Sequence, residues 1–100
     1  ALVVAESIES DANLSYKIAR FAFENEDWPK SINYFKQAKK QGYEKYPGRL
    51  ELLLGISYFE ISSYEMALVY LNESLEIDSS TSAAEGWINY IKDILGTQNT

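Results

Sequence analysis

The chain has 100 residues, of which 46% are hydrophobic, and it carries a formal net charge of −6. That length and apolar content are ordinary for one globular domain, so they argue against disorder. The sequence contains no cysteine and no histidine, which excludes disulfide bonds and thiolate metal sites and removes the most common general base and metal ligand.

The net negative charge, the short apolar runs and the missing catalytic motifs argue against three further classes of protein. A negatively charged protein has no electrostatic reason to bind nucleic acid. No run approaches the roughly 20 apolar residues of a membrane-spanning helix, so no transmembrane segment is expected in this chain. The sequence has no glycine-rich phosphate loop and no carboxylate pair in a predicted enclosed pocket. We therefore expect a protein that is not an enzyme, with no catalytic residue, no metal site and no cofactor.

Helical spacing begins close to the start of the chain. Residues 1–10 open with a short apolar run, which we interpret as the tail of an upstream helix or an edge of the chain. The first helix is expected to start at Ser10 or Asp11, which can serve as its N-cap, and to end at residues 25–27. Its apolar residues recur at helical spacing and are Leu14, Ile18, Phe21 and Ala22.

The second helix completes a pair that spans residues 11–43. It starts near Pro29, because proline is tolerated in the first turn of a helix. Gly42 is predicted to be the C′ residue that ends it. A longer connection over residues 43–48 then forms the boundary with the next pair.

A second helix pair is predicted over residues 48–78, followed by a closing helix. Its first helix covers residues 49–61, and Ser63 is expected to cap its second helix. The closing helix, over residues 82–96, has one apolar and one polar face, as the end of a helical array needs. Residues 96–100 are expected to fray.

The two helix pairs repeat each other at an offset of 36 residues. All but one of the eight matched positions keep their size class, and the exception is Ala22 against Tyr58. A period in this range indicates an all-α protein in which helix pairs stack as an α-solenoid. The matched residues are Ile18, Ala19, Ala22, Trp28, Ser31, Ile32, Phe35 and Ala38, with Leu54, Gly55, Tyr58, Tyr64, Ala67, Leu68, Leu71 and Ser74.

The second pair resembles the tetratricopeptide repeat (TPR) family. It has Leu54-Gly55, Tyr58, Ala67 and Leu71 where that family prefers Leu-Gly, Tyr, Ala and an aromatic residue. The first pair resembles the family less fully. The chain departs from the usual period of about 34 residues, and the usual proline after the second helix is missing. The resemblance implies antiparallel helix pairs stacked as a short right-handed α-solenoid, with two repeats and a closing helix.

A narrower resemblance concerns the second pair together with the closing helix. The run Pro47-Gly48-Arg49-Leu50-Glu51-Leu52-Leu53-Leu54-Gly55 and the later Trp87-Ile88-Asn89-Tyr90-Ile91 resemble the C-terminal part of certain bacterial TPR proteins. Those proteins are encoded beside TonB-type energy-transduction systems. The resemblance implies a role as a scaffold in a transport assembly and a periplasmic or envelope location, with the cytoplasm as the alternative.

The TPR resemblance also implies a binding groove, because the first helix of each repeat lines the concave surface in that family. Non-catalytic binding of a partner protein or peptide through apolar contacts is therefore expected. The alternative is a structural segment whose apolar positions are covered by upstream repeats or by a second copy in a homodimer. The groove residues carried over are Asn13, Tyr16, Arg20, Phe23, Leu52, Ile56, Phe59 and Ile88.

Overall fold

Five α-helices make up the fold of this computed structural model, which describes the backbone of residues 2–78 and 82–98 and the side chains of residues 11–78 and 82–96. The all-α prediction is confirmed, since no strand occurs within the described ranges. The predicted loop after residue 78 falls mostly on residues 79–81, outside those ranges. The helices are α1 (Leu2–Glu24), α2 (Trp28–Lys40), α3 (Arg49–Glu60), α4 (Tyr64–Ile77) and α5 (Ser82–Gln98).

The helices belong to two units, residues 1–46 and 47–100. In the first unit α1 packs on α2, and in the second α3 packs on α4 while α5 contacts both. Only a short connection separates α1 from α2 and α3 from α4. Connections of this length make each pair an antiparallel hairpin. The structure is thus an all-α, repeat-like fold of two hairpins and one further helix.

The two hairpin turns have the same backbone conformation, 36 residues apart. Glu26 (φ 58°) and Ser62 (φ 64°) are left-handed although neither is glycine. The next residues, Asp27 and Ser63, each donate an amide hydrogen bond of 2.9 Å to the carbonyl five residues earlier. This is the Schellman arrangement, which satisfies carbonyls at a helix end. The internal repeat is therefore present in the geometry as well as in the sequence.

Several predicted helix boundaries hold. Pro29 lies in the first turn of α2, and the Asp27 carboxylate accepts from the Lys30 amide at 3.4 Å. Gly42, with φ 86°, ends α2 by donating to the Lys39 carbonyl at 3.0 Å. Ser63 occupies the N-cap position of α4, but its side chain makes no capping hydrogen bond.

Two predicted helix limits are wrong. The helix α1 runs without a break from residue 2 to 24, so it does not start at Ser10 or Asp11. The residues before Asp11 include neither proline nor glycine, so nothing in them interrupts the helix. The closing helix includes Gly96 and continues to Gln98, beyond the limit predicted for it. A glycine near a helix end is tolerated when the backbone hydrogen bonds continue past it.

Small residues let the helices of each hairpin approach closely. Ala19 in α1 and Gly55 in α3, at equivalent positions, are both buried. A Cβ atom on Gly55 would lie only 2.7 Å from Leu71 Cγ. Larger buried residues fill the remaining space to the density of a protein interior. On α2 and α4 the equivalent buried residues are Ser31, Phe35 and Ala38, with Ala67, Leu71 and Ser74.

The single mismatch in size between the repeats has a local explanation. Tyr58 in α3 replaces Ala22 of α1, and its ring stacks on Tyr70 of α4 with centroids 5.6 Å apart and planes 1° apart. Tyr58 is half-buried whereas Ala22 is buried. The larger side chain therefore extends from the edge of the hairpin core onto an aromatic partner instead of entering the core.

Candidate partner-binding surface

Four predicted groove residues lie on one side of α1, which we call the α1 flank: Asn13, Tyr16, Arg20 and Phe23. Their spacing of three, four and three residues places them along one face of a helix. Asn13, Arg20 and Phe23 are half-buried. Phe23 packs edge-to-face on Trp28, with ring centroids 5.2 Å apart. These three residues keep part of their surface open to a partner.

Tyr16 is a core residue and not an open groove position, which corrects the prediction for it. Only 6% of its surface is exposed. Its ring stacks on Tyr43 at 4.1 Å and meets the edge of Phe35 at 5.7 Å. Tyr43 directly follows the glycine that ends α2, and this turn brings its ring back onto α1. Burial, and then the neighbouring Tyr16, raise the pKa of Tyr43 well above the ordinary range of a tyrosine.

Arg20 forms an ion pair within α1. Its guanidinium lies 3.5 Å from the Glu24 carboxylate, one helical turn away, and 6.0 Å from the centre of the Tyr16 ring. Both charged side chains of the ion pair are more than a third exposed. An exposed pair of this kind contributes between 0 and about 1 kcal/mol. Arg20 can therefore turn toward an acidic group of a partner at little cost.

Three predicted residues form an apolar strip on α3, which we call the α3 flank: Leu52, Ile56 and Phe59. All three are half-buried and recur at helical spacing. Leu52 and Phe59 pack partly against the core of the second unit. Phe59 lies at the centre of an aromatic cluster, and its ring centroid is 5.0 Å from that of Trp87 and 5.7 Å from those of Tyr64 and Tyr90.

Ile88 is the second predicted residue that the structure places in a core. It is 5% exposed and packs in a cluster with Ala67, Leu71, Ala84 and Ile91. The side of α5 that carries Ile88 is the side that packs on α4, so the isoleucine has no surface to offer a partner. The prediction for Ile88 is therefore wrong in this structure.

Other apolar residues are more exposed than any of the predicted ones. Leu14 and Phe21 on α1 are 58% and 67% exposed. The sequence analysis assigned both to the apolar face of the first helix, because they recur at helical spacing. The hairpin instead buries the small residues Ala12, Ala19 and Ala22. On α4 the exposed apolar residues are Met66, Val69 and Ile77.

A cleft of about 590 Å³ opens beside the α1 flank in the first unit. Asn13 contributes to its wall, and Glu44 and Lys45 supply charges of both signs. Within the described part of the chain there is no group of three or more carboxylates that could hold a metal ion. No helix of this part is both long enough and apolar enough to cross a bilayer.

Comparison with known proteins finds no matching family model and no matching curated protein.

Proposed function

We propose that this chain is a non-catalytic protein-binding module in which the first helix of each hairpin binds partner polypeptide, α1 through its flank in the first unit and α3 through its flank in the second. Its resemblance to the TPR family supports this role, because such repeats present the first helix of each hairpin to ligands. The lack of histidine and cysteine in the sequence agrees with a binding role rather than a catalytic one.

The observation that carries the proposal is the apolar strip on the α3 flank. Leu52, Ile56 and Phe59 are half-buried, and their helical spacing places them along one side of α3 over about two helical turns. Apolar surface that is continuous, and not scattered in single residues, marks sites where proteins associate. An amphipathic helix or an extended apolar segment fits such a strip.

A TonB-type energy-transduction assembly is the setting that we propose for this module. The support is the resemblance of the Pro47–Gly55 run and the Trp87–Ile91 run to bacterial proteins encoded beside such systems. The module then lies in the periplasm or at the envelope. Fractionation of the native cells tests this, and recovery only with the cytoplasmic fraction contradicts it.

Site-specific photo-crosslinking tests the binding role directly. A photoreactive amino acid at Ile56 in the full-length protein is expected to capture one defined polypeptide in its native cells. The same amino acid at Asn33, which is exposed on α2, is the control and is expected to capture none. Equal capture at both positions refutes the proposal.

The second candidate function is self-association, and the exposed Leu14 and Phe21 on α1 favour it. A second copy that covers these residues makes a homodimer in which the chain has a structural role. Light scattering over a range of concentrations separates the two functions. A monomer at all concentrations supports the binding module, whereas a dimer that Leu14→Gln/Phe21→Gln dissociates supports self-association.

A further inference from the structure

The outward side of α4 carries apolar residues that the hairpin does not use. Met66, Val69 and Ile77 are 37%, 54% and 45% exposed. Their spacing of three and eight residues places them on one side of the helix, away from the buried Ala67 and Leu71. We call this side the α4 outer stripe. It extends over 12 residues, and its ends are about 16 Å apart along the helix.

The first unit shows that the fold does not require this stripe to be apolar. The positions 36 residues before Met66 and Val69, in α2, are held by Lys30 and Asn33. Gln41, 36 residues before Ile77, follows the end of α2 and accepts a hydrogen bond from Ser15 of α1, so it is not compared. Lys30 and Asn33 are exposed, as expected for the solvated side of a helix. Because α2 and α4 occupy the same place in their hairpins, two exposed polar positions in one unit correspond to two exposed apolar positions in the other.

The charges around the stripe define what can cover it. Glu65 and Glu76 are exposed beside it, half-buried Glu73 lies within it between Val69 and Ile77, and α4 contains no lysine or arginine. The residues from Pro47 onward carry the whole net charge of the chain, −6, whereas residues 1–46 are neutral overall. Like charges facing each other oppose association, and a basic partner is favoured by steering and by contact.

We propose that the α4 outer stripe binds a cationic amphipathic helix of another protein. Its apolar residues pack against Met66, Val69 and Ile77, and its lysine or arginine residues lie beside Glu65 and Glu76. A helix fits because a second helix can pack side by side with α4 along a stripe of this length. Apolar residues three, four and seven positions apart on the partner helix lie on one side of it and can contact the stripe. This surface is separate from the α1 and α3 flanks, so it does not depend on the function proposed for them.

A defined peptide tests the proposal without knowledge of the natural partner. The probe is an 18-residue helical peptide of leucine and lysine with all leucines on one face, labelled for fluorescence anisotropy. We expect it to bind the full chain, and binding is expected to weaken as salt is added. The same peptide with glutamate in place of lysine is expected not to bind.

Matched variants locate the binding site. Met66→Gln/Val69→Asn/Ile77→Gln makes the stripe as polar as α2 with no change of charge, and we expect at least tenfold weaker binding. Circular dichroism checks that this variant keeps its helices. Ile61→Gln replaces an exposed apolar residue outside the stripe with no change of charge. It is expected to bind the probe within about threefold of the unaltered chain, a difference below 1 kcal/mol.

Three outcomes overturn the proposal. Unchanged affinity of the polar α4 variant shows that the probe binds by charge alone. Equal binding of the glutamate peptide removes the charge argument. A dimer that only the polar α4 variant dissociates identifies a second copy, and not a cationic helix, as the occupant of the stripe.

Discussion

Gly55→Ala tests the close approach of α3 and α4 that defines the second hairpin. A Cβ atom at this position would lie 2.7 Å from Leu71 Cγ, 2.9 Å from Leu71 Cδ2 and 3.2 Å from the Ala67 carbonyl oxygen. Leu71 and Ala67 are both fully buried, and the oxygen belongs to helical backbone. Neither neighbour can move freely, so we expect the methyl group to push the two helices apart.

The size of the effect follows from two opposing terms. Alanine is more favourable than glycine inside a helix by about 1 kcal/mol. Overpacking a buried site costs about 1–3 kcal/mol. Gly86, inside α5, is the matched control, because a Cβ atom there would meet nothing within 4 Å. Gly86→Ala therefore gains the helix propensity of alanine without overpacking. We expect Gly55→Ala to be less stable than Gly86→Ala by about 1–3 kcal/mol, the cost of overpacking.

Urea unfolding followed by tryptophan fluorescence measures this difference. In a Trp28→Phe background the signal comes from Trp87, whose ring lies 5.0 Å from that of Phe59 in the second unit. Leu71→Ala makes room for the added methyl group, so a double-mutant cycle of Gly55→Ala with Leu71→Ala should show favourable coupling of about 1 kcal/mol or more. Equal stability of Gly55→Ala and Gly86→Ala would refute the close-packing argument.

Three further changes probe the first unit and one buried hydrogen bond. Because burial raises the pKa of Tyr43 above its ordinary value of 10.0, the folded state keeps the phenol proton to a higher pH than the unfolded state. The contribution of Tyr43 to the free energy of unfolding is therefore expected to be fully present below pH 10 and to be lost as the pH rises above it. Tyr43→Phe should reduce this loss in pH-dependent urea unfolding. Phe21→Gln should change the free energy of unfolding by less than about 0.5 kcal/mol, whereas Phe35→Ala should cost about 3–5 kcal/mol. The reverse order in thermal unfolding would contradict the finding that Phe21 lies on the exposed side of α1. Ser74→Ala removes a buried 2.7 Å hydrogen bond to the Gly48 carbonyl. We expect urea unfolding to show a free energy of unfolding lower by about 1–3 kcal/mol, and an unchanged value would contradict the role of this bond.

Local signals in the sequence were sufficient to predict the hairpins. Proline has a fixed φ that suits the first turn of a helix, and glycine tolerates the positive φ found at helix ends, so Pro29 and Gly42 located the start and the end of α2 without knowledge of the packing. The left-handed turn residues Glu26 and Ser62 were not predicted individually, because neither is a residue that favours this conformation. Their positions can nevertheless be inferred from the offset of 36 residues, since the polar stretch after each helix repeats.

Helical spacing alone could not identify the buried face of α1. Two apolar faces compete along this helix, one with Leu14 and Phe21 and one with Ala12, Ala19 and Ala22. Hydrophobicity favours the first, because leucine and phenylalanine bury more apolar surface. Close packing against α2 favours the second, because only small residues let the helix backbones approach. The hairpin follows close packing, and Leu14 and Phe21 are left on the outside.

Comparison of the repeats separates what the fold requires from what it leaves free. At Ser31 and Ala67 the residues differ, but both are small and fully buried, so the packing constrains size and not identity. At Asn33 and Val69, two residues further along, both side chains are exposed and the polarity differs between the units. Packing imposes no constraint at such a position. The apolar residues on the outer side of α4 are therefore not explained by the stability of the hairpin, and association with another helix is the physical role that their exposure and the surrounding acidic charge support.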